Sequence, residues 1–225
     1  MTARPTSLFD VEPLRMLEHS TLGVLRRDDP VVVLGARQPT RDLHDVALRR
    51  DGIGIRRRHG GGGAVLLRQA DRWVELWLRA APGRRDYDVR SSAYLVGDWW
   101  RAALAAHGVD AKMHRGAVLD AQQGAIACFA GLGPGELTVR GRKVLGISQW
   151  RVREGTLVSS VLAVEDPEDL HQYLAPAAPK VPGLRGAASI HWVAPRLAID
   201  DVLTTFVEVV STSGTSIVVD EQPFF

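Results

Sequence analysis

Two segments of this sequence contain residue types that could carry out acyl or phosphoryl chemistry. The first is a basic, glycine-rich segment that consists of Arg57, Arg58, His59, Gly60, Gly61, Gly62, Gly63 and Ala64. Backbone amides in such a loop can approach an anion closely, because glycine has no Cβ. The arginines could neutralise a phosphate or a carboxylate with their planar guanidinium groups. A hairpin tip with solvated basic residues would have the same composition, so both interpretations stay open at this point.

The second segment places a cysteine and a lysine among several glycines. Cys128 is followed by Phe129, and Lys143 lies between Gly141 and Gly146. A lysine on a strand can donate hydrogen bonds to negative charge that develops on a carbonyl or phosphoryl oxygen. A cysteine can accept an acyl group when nearby cations stabilise its thiolate. An ordinary surface lysine and a small buried cysteine are the alternatives.

Strands and helices must position these two segments. Apolar and β-branched runs predict strands at residues 31–34, 52–55, 64–67, 73–78, 137–139 and 143–147. The last two are predicted to form a hairpin, and a break is expected at residues 81–83. The absence of regular βαβ alternation predicts an α+β domain on a mixed or antiparallel sheet.

Three helices are predicted to accompany the strands. The first starts at Ser91 and ends before Gly108, with an apolar face made of Leu95, Trp99, Ala102, Ala103 and Ala106. The second begins after the capping residue Asp166 and runs to about Leu174. The third covers residues 199–210, and a proline-rich and alanine-rich connecting loop at residues 175–186 precedes it.

Composition limits the class of protein. A chain of 225 residues with 45% hydrophobic and 24% charged residues is typical of a globular protein with one sizeable core. A net charge of +2 is too small to indicate nucleic-acid binding. No apolar run approaches the roughly 20 residues that span a bilayer, and the first thirty residues lack a leader pattern. We therefore expect a cytoplasmic domain that binds neither nucleic acid nor membranes, and we assign no metal ligands.

Together the two segments resemble the lipoate protein ligase and octanoyltransferase superfamily, whose catalytic domain is similar to that of biotin protein ligases. The family's Arg-Arg-x-x-Gly-Gly loop is matched by Arg57, Arg58, Gly61, Gly62 and Gly63. Its Gly-x-Lys-x-x-Gly-Ser-x-Gln-like strand is matched by Gly141, Lys143, Gly146 and Gln149. The end of an upstream family strand is matched by Gly35 and Gln38. Three motifs in family order between residues 30 and 162 make the resemblance fairly specific.

The resemblance implies a class II synthetase-like catalytic domain with a mixed or antiparallel sheet flanked by helices. It implies an acyl chain in an apolar tunnel whose carboxyl end lies beside Lys143. The residues implied to hold the substrate or a nucleotide are Gly35, Gln38, Arg57, Arg58, His59, Gly61, Gly62, Gly63, Ala64, Gly146 and Gln149. One catalytic domain is expected over residues 1–225, without the C-terminal accessory domain of the long ligases.

The leading hypothesis is a ligase that activates lipoate or octanoate with ATP and Mg²⁺ and attaches it to a lysine of a lipoyl domain. The acceptor would be the lipoyl domain of a 2-oxoacid dehydrogenase complex or the glycine cleavage H protein. A separate protein could supply the accessory domain. Gly63 favours this branch, because the cysteine-dependent transferases of the superfamily tend to have arginine at that position.

Two alternatives remain. In the first, an octanoyltransferase without a cofactor moves the acyl group from an acyl carrier protein through a thioester on Cys128. The Cys128-Phe129 pair ahead of Lys143 matches the register of that branch. In the second, the chain is a non-catalytic module that binds an acyl group or a nucleotide. This hypothesis is motivated by Leu67-Arg68 and Ser159-Ser160, which stand where family members usually have His-Asp and His-Gly.

Overall fold

The computed structural model describes residues 15, 17–25, 29–80, 88–214 and 217–220. The break expected at residues 81–83 lies outside the described residues. The strands are β1 (Ser20–Leu25), β2 (Val31–Leu34), β3 (Gly54–Arg57), β4 (Val65–Leu67), β5 (Arg72–Arg79), β6 (Lys112–Met113), β7 (Leu137–Val139), β8 (Arg142–Val152), β9 (Gly155–Leu162) and β10 (Ile217–Asp220). The α-helices are α1 (Asp45–Arg50), α2 (Val89–Ala106), α3 (Ala121–Gly124), α4 (Ile190–Val193) and α5 (Ile199–Thr212). Short 3₁₀ helices cover Thr40–Asp42, Cys128–Ala130, Pro167–Tyr173 and Pro182–Gly186.

These strands form two sheets. The larger one has seven strands in the order β10-β1-β5-β9-β8-β7-β6, and the smaller one has three in the order β3-β2-β4. β10 runs parallel to β1, and β3 runs parallel to β2. The other pairings are antiparallel. The predicted α+β fold with a mixed sheet and flanking helices is therefore confirmed.

The predicted strands and the hairpin before Lys143 are present. β2 and β4 are buried along their whole length, as expected for short runs of valine and leucine inside a core. In the hairpin, β7 and β8 pair around Arg140 and Gly141, which both have positive φ angles. Glycine adopts this conformation without a steric cost, so Gly141 suits the tight turn.

Helix α2 begins at a capping box, in which the Asp88 carboxylate accepts from the backbone amides of Arg90 and Ser91. Its predicted apolar face is partly wrong. Ala102 and Ala106 are exposed, whereas the buried face includes Ser92, Ala93, Val96, Gly97, Trp99, Trp100, Ala103 and Leu104. An alanine fits either side of a helix, so the three alanines of the predicted face could not define it.

The other helix predictions differ in detail. The segment after Asp166 is a 3₁₀ helix, Pro167–Tyr173, whose first turn is capped by the Asp166 carboxylate. The connecting loop at 175–186 ends in a second 3₁₀ helix, Pro182–Gly186. The third prediction is confirmed as α5, where Val202, Phe206 and Val210 are buried.

Two apolar cores each include residues next to Cys128 or Lys143. One core surrounds the smaller sheet and includes Phe129. The other lies between the larger sheet and helices α2 and α5, where Trp100 and Phe206 stack with ring centroids 4.1 Å apart. It includes Val144 and Leu145 of β8. Across the described part of the chain, no helix combines the length and apolarity needed to cross a membrane.

Candidate active site

Lys143 is buried on β8, with 4% of its surface exposed. Its Nζ donates to the backbone carbonyl oxygens of Cys128 and Gly131, at 2.7 and 2.8 Å. It also lies 2.6 Å from Oε2 of Glu136. An ammonium has three N–H donors, so these partners satisfy all of them. A buried lysine is tolerated here because its charge is paired and hydrogen-bonded.

Glu136 is the residue of this site that the sequence motifs missed. It is 4% exposed and lies just before β7. Besides its ion pair with Lys143, its Oε2 accepts from the Gly133 amide at 2.7 Å and its Oε1 accepts from the Ile147 amide at 2.9 Å. The predicted hairpin was the available signal, because the antiparallel return around Gly141 places Leu137 opposite Leu145 and so brings Glu136 beside the middle of β8.

Cys128 begins a 3₁₀ helix beside the lysine. Its backbone amide donates to the carbonyl oxygen of Ala64 at 2.9 Å, and Ala64 forms a parallel bridge with Ala127. The Cys128 Sγ lies 3.3 Å from the position that a Cβ would occupy on Gly146. A glycine at position 146 therefore leaves room for the Cys128 sulfur. Cys128 is partly exposed, in contrast to its buried neighbour Phe129.

The glycine loop packs directly against the cysteine segment. The amide of Gly63 donates to the Gly124 carbonyl oxygen at 2.8 Å. A Cβ on Gly63 would overlap the backbone of Ile126 and Ala127, so this close approach requires glycine. Gly61 differs, because a Cβ there would meet no atom within 4 Å. Gly63 is therefore required for the packing of the loop, whereas at Gly61 a side chain would have free space.

Arg58 holds the glycine loop from inside. It is 3% exposed, and its guanidinium donates to the carbonyl oxygens of Val33, Gly61 and Gly63 at 3.2, 2.7 and 2.8 Å. Burial lowers the pKa of this guanidinium from its ordinary value, and electrostatic interactions with Cys128 and Glu136 oppose that effect. Its charge is therefore close enough to interact with both residues.

Arg57 and His59 point away from this interior. Arg57 is exposed and donates to the carbonyl oxygens of Gly35, Ala36 and Gln38, at 2.8, 3.2 and 2.6 Å. The exposed His59 ring lies beside Trp150, with centroids 5.3 Å apart. In this structure, Arg57 stabilises the loop that follows β2 through these three hydrogen bonds.

Gly35, Gln38 and Gln149 also connect parts of the site. A Cβ on Gly35 would overlap the Gly62 carbonyl, so the loop after β2 lies against the glycine loop. The Gln38 amide donates to the Ile126 carbonyl oxygen at 2.9 Å. The Gln149 amide donates to the Val89 carbonyl oxygen at 2.8 Å and accepts from Ser92 Oγ at 2.9 Å, which ties β8 to the first turn of α2.

A cavity of about 450 Å³ opens between the glycine loop, the cysteine segment and β8. The polar and glycine residues of its wall include Gly61, Gly62, Cys128, Glu136, Lys143 and Gln149. Its apolar wall includes Val89, Ala93, Leu132, Pro134 and Ile147. This volume lies in the range typical of small-molecule sites. Arg58, Gly63 and Gly146 do not line the cavity themselves, but they contact residues that do.

Comparison with known protein families identifies the domain. The lipoyl protein ligase A/B catalytic domain matches residues 14–210. The chain belongs to this family. Among curated proteins, none matches the sequence significantly.

Solved structures of lipoate ligases share this family's fold with the chain. A putative lipoate protein ligase from T. acidophilum with bound lipoic acid has a TM-score of 0.73 and 18% identity, over 94% of this chain and 80% of that one. A lipoate-protein ligase A bound with ATP has a TM-score of 0.71 and 19% identity, over 92% and 76%. An archaeal bi-partite lipoate protein ligase from Thermoplasma acidophilum, studied with its E2 lipoyl domain, has a TM-score of 0.69 and 18% identity, over 92% and 75%.

The cavity brings together chemically distinct groups, namely the partly exposed Cys128 thiol, the buried Lys143 ammonium and apolar side chains such as Val89 and Ile147. The roles of the sequence-predicted residues stay predictions, but five of them, Gly61, Gly62, Cys128, Lys143 and Gln149, line one cavity.

Proposed function

We propose that this chain transfers an octanoyl or lipoyl group from a thioester donor to a lysine of a lipoyl domain, through a thioester on Cys128. One observation carries the proposal: Cys128 and Lys143 line the same largely apolar cavity, and the lysine Nζ lies 2.7 Å from the Cys128 carbonyl oxygen. This arrangement favours the cysteine route over the ATP-dependent route that the glycine loop alone favours.

The first half of the proposed reaction acylates the enzyme. The Cys128 thiolate attacks the carbonyl carbon of the donor thioester, so a new C–S bond forms. The donor C–S bond then breaks, and the donor thiol leaves with the proton that Cys128 lost when its thiolate formed. Lys143 donates a hydrogen bond to the carbonyl oxygen while negative charge develops on it, in exchange for one of its backbone partners.

The second half returns the enzyme to its starting state. The neutral amine of the acceptor lysine attacks the carbonyl carbon of the Cys128 thioester. An amide bond forms, the C–S bond to Cys128 breaks, and the proton from the amine passes to the departing sulfur. A lipoyl domain is a suitable acceptor because a structurally similar ligase was studied with its E2 lipoyl domain.

A magnesium nucleotide fits these residues less well. Among the described residues that line the cavity, Glu136 is the carboxylate, and its oxygens already bind Lys143 and the amides of Gly133 and Ile147. Lys143, the cation of that wall, is neutralised by the same carboxylate. Within the wall itself, a triphosphate would therefore meet no unpaired cation among the described residues, and the positive charge left to it is that of Arg58 behind the glycine loop.

The test uses the whole chain with octanoylated carrier protein and an apo lipoyl domain. We expect the lipoyl domain to gain one octanoyl group, and Cys128 to carry an octanoyl thioester that hydroxylamine removes, both measured by intact mass. Cys128→Ala should lose both signals while its thermal unfolding stays close to that of the unmodified chain. Unimpaired transfer by this variant would overturn the cysteine route.

The ligase remains the second candidate, because Gly61 and Gly62 present an exposed glycine backbone to the cavity. In that case lipoate with ATP and Mg²⁺ would label the lipoyl domain, and Cys128→Ala would not reduce the labelling. Absence of product with both donors, beside an active reference enzyme, would favour the non-catalytic module.

A further inference from the structure

Trp192 is an exposed aromatic side chain on the short helix α4. It is 45% exposed, whereas most large apolar side chains of the described chain are buried. Its backbone amide donates to Ser189 Oγ at 3.1 Å, which fixes the first turn of the helix. Tryptophan and arginine are enriched among the residues that contribute most to protein–protein binding. The position of Trp192 therefore directs attention to the charges around its ring.

Two arginines of the β7–β8 hairpin flank this ring. The guanidinium carbons of Arg142 and Arg140 lie 4.8 and 5.8 Å from its centroid, within the range of a cation–π contact. Arg140 stands in the hairpin turn with a φ angle of 50°, a conformation that favours asparagine or glycine. The turn geometry does not account for an arginine at this position, whereas the contact with Trp192 gives its charge a place.

The positive charge beside Trp192 is largely uncompensated. Among the residues that the structure describes, neither Arg140 nor Arg142 has a carboxylate within ion-pair distance. Arg142 donates to the carbonyl oxygen of Arg185 at 3.0 Å, while its Nε has no hydrogen-bond partner. Arg185 is the third cation here, and it pairs with Glu168 at 3.4 Å. Trp192, Arg140, Arg142 and Arg185 together form the Trp192 patch.

The Trp192 patch lies beside the candidate active site but outside its cavity. Neighbouring residues of a strand point to opposite faces, so Lys143 lines the cavity while Arg142 contacts Trp192. The backbone amide of Ala188 donates to the Lys143 carbonyl oxygen at 2.8 Å, one residue before the cap of α4. The patch is therefore held on the same strand as Lys143, and an occupant of the cavity would leave it free.

We propose that the Trp192 patch binds an acidic segment of a partner protein. Carboxylates would lie on the guanidinium groups of Arg140 and Arg142, whose planar forks match them, and an apolar side chain would cover the Trp192 ring. A protein segment can cover such an exposed surface, whereas small molecules bind in concave sites. The net charge of +2 disfavours nucleic acid as the partner. This inference goes beyond the proposed transfer function and does not depend on it.

The test follows the indole N–H signal of Trp192 in two-dimensional NMR spectra of the whole chain, assigned as the signal that Trp192→Phe lacks. The probe is a pentapeptide with blocked ends, Glu-Glu-Leu-Glu-Glu, and its control is Gln-Gln-Leu-Gln-Gln. We expect the acidic peptide to shift this signal with a Kd of about 1 mM at low ionic strength. Binding should weaken at about 0.15 M salt, because salt screens exposed charges. The neutral peptide should bind at least about fivefold more weakly.

Variants decide whether the patch is the binding site. Arg140→Ala and Arg142→Ala should each weaken binding by about threefold, as expected for the loss of one exposed ion pair, and Arg142→Lys should weaken it less. Arg153→Ala is the matched control, because Arg153 is exposed and lies outside the patch. If Arg142→Ala does not fold, the exposed Arg140 decides.

Three results would overturn the inference. They are a Trp192 signal that the acidic peptide does not shift, equal binding of the two peptides, and a stronger response to a single-stranded RNA of the same number of residues. No acyl donor is present in these titrations, so their outcome is separate from that of the Cys128 experiment.

Discussion

Arg58 and Lys143 are both buried cations of one site, but their partners differ in kind. Arg58 donates to three backbone carbonyl oxygens and has no carboxylate among its hydrogen-bond acceptors in the described structure. Lys143 donates to two carbonyl oxygens and pairs with Glu136. Lys143 lines the cavity, and Arg58 lies behind it. The comparison indicates that one cation holds the glycine loop while the other is placed for chemistry.

The two cations also connect different segments. Arg58 joins the end of β2 to the glycine loop, so its bonds stay within the smaller sheet and its loops. Lys143 reaches from the larger sheet to the carbonyls of Cys128 and Gly131. Loss of either residue should therefore harm the protein in a different way, and the predictions below separate these effects.

The largest expected effect is on catalysis by Lys143→Met. Removal of the donor from the oxyanion should reduce the rate of acyl transfer by about 10² to 10³-fold. Arg58→Met should reduce the rate per folded molecule far less, but it should lower the free energy of unfolding by at least about 3 kcal/mol, because three carbonyl groups lose their donor. Single-turnover transfer and denaturant unfolding measure the two quantities. Equal loss of rate in both folded variants would contradict the division of roles.

The next effect concerns the packing of the glycine loop. Gly63→Ala should destabilise the chain by roughly 2 to 3 kcal/mol or displace the Cys128 segment, because the new methyl group overlaps the backbone of Ile126 and Ala127. Gly61→Ala is the matched control, since its methyl group would meet no atom within 4 Å. Denaturant unfolding of both variants checks this. Equal stability of the two would show that the loop is not held as described.

Much of the fold could be predicted from local patterns. The buried strand Val31–Leu34 is β-branched and apolar, and the hairpin before Lys143 has its glycine at the turn. The buried face of α2 could not be predicted correctly, because alanine occurs on buried and exposed faces alike and the predicted face did not include Trp100. Trp100 is fully buried and donates to Ser160 Oγ at 3.0 Å, a contact between residues 60 positions apart.

The site was less predictable than the fold, for a physical reason. Its two motifs are far apart in sequence, and their meeting depends on the bridge between Ala64 and Ala127, which no local pattern encodes. The family resemblance supplied that link. The sequence also could not show that the guanidinium of Arg57 would bind backbone carbonyl oxygens, because carbonyl oxygens and phosphates suit the same donors. The position of Glu136 in the site could not be predicted without the register of the β7–β8 hairpin.

A third prediction compares Glu136 with another buried carboxylate. Glu75 on β5 accepts from Trp73 Nε1 and Ser159 Oγ at 3.1 and 3.0 Å, and burial raises its pKa from 4.5 to about 7. The folded state therefore holds this proton more tightly than the unfolded state. Stability should be highest below about pH 4.5 with respect to this group and should fall as the pH rises to about 7, by up to about 3 kcal/mol.

Glu75→Gln should remove this fall, because the amide stays neutral and can accept from the same two donors. Unfolding free energies at pH 5 and pH 8 measure it, with Glu208→Gln on the exposed side of α5 as the control. A fall of the same size in Glu75→Gln and in the unmodified chain would show that the proton on Glu75 does not cause it. The contrast between the two carboxylates would then disappear.

The smallest expected effect is at Gly146, and it tests whether the sulfur beside Lys143 needs its space. A Cβ at this position would lie 3.3 Å from Cys128 Sγ and 3.4 Å from the Phe129 ring. Both are side-chain atoms that can shift by a few tenths of an ångström, so Gly146→Ala should cost at most about 1 kcal/mol in unfolding free energy. The sulfur would move relative to the lysine, and a displacement of that size can slow transfer by roughly tenfold. Transfer rates per folded molecule check this, with Gly186→Ala as the control, because Gly186 does not line the cavity and a Cβ there would meet no atom within 4 Å. If Gly146→Ala transferred the acyl group as fast as the control, the distance between the Cys128 sulfur and Lys143 would not limit the reaction rate.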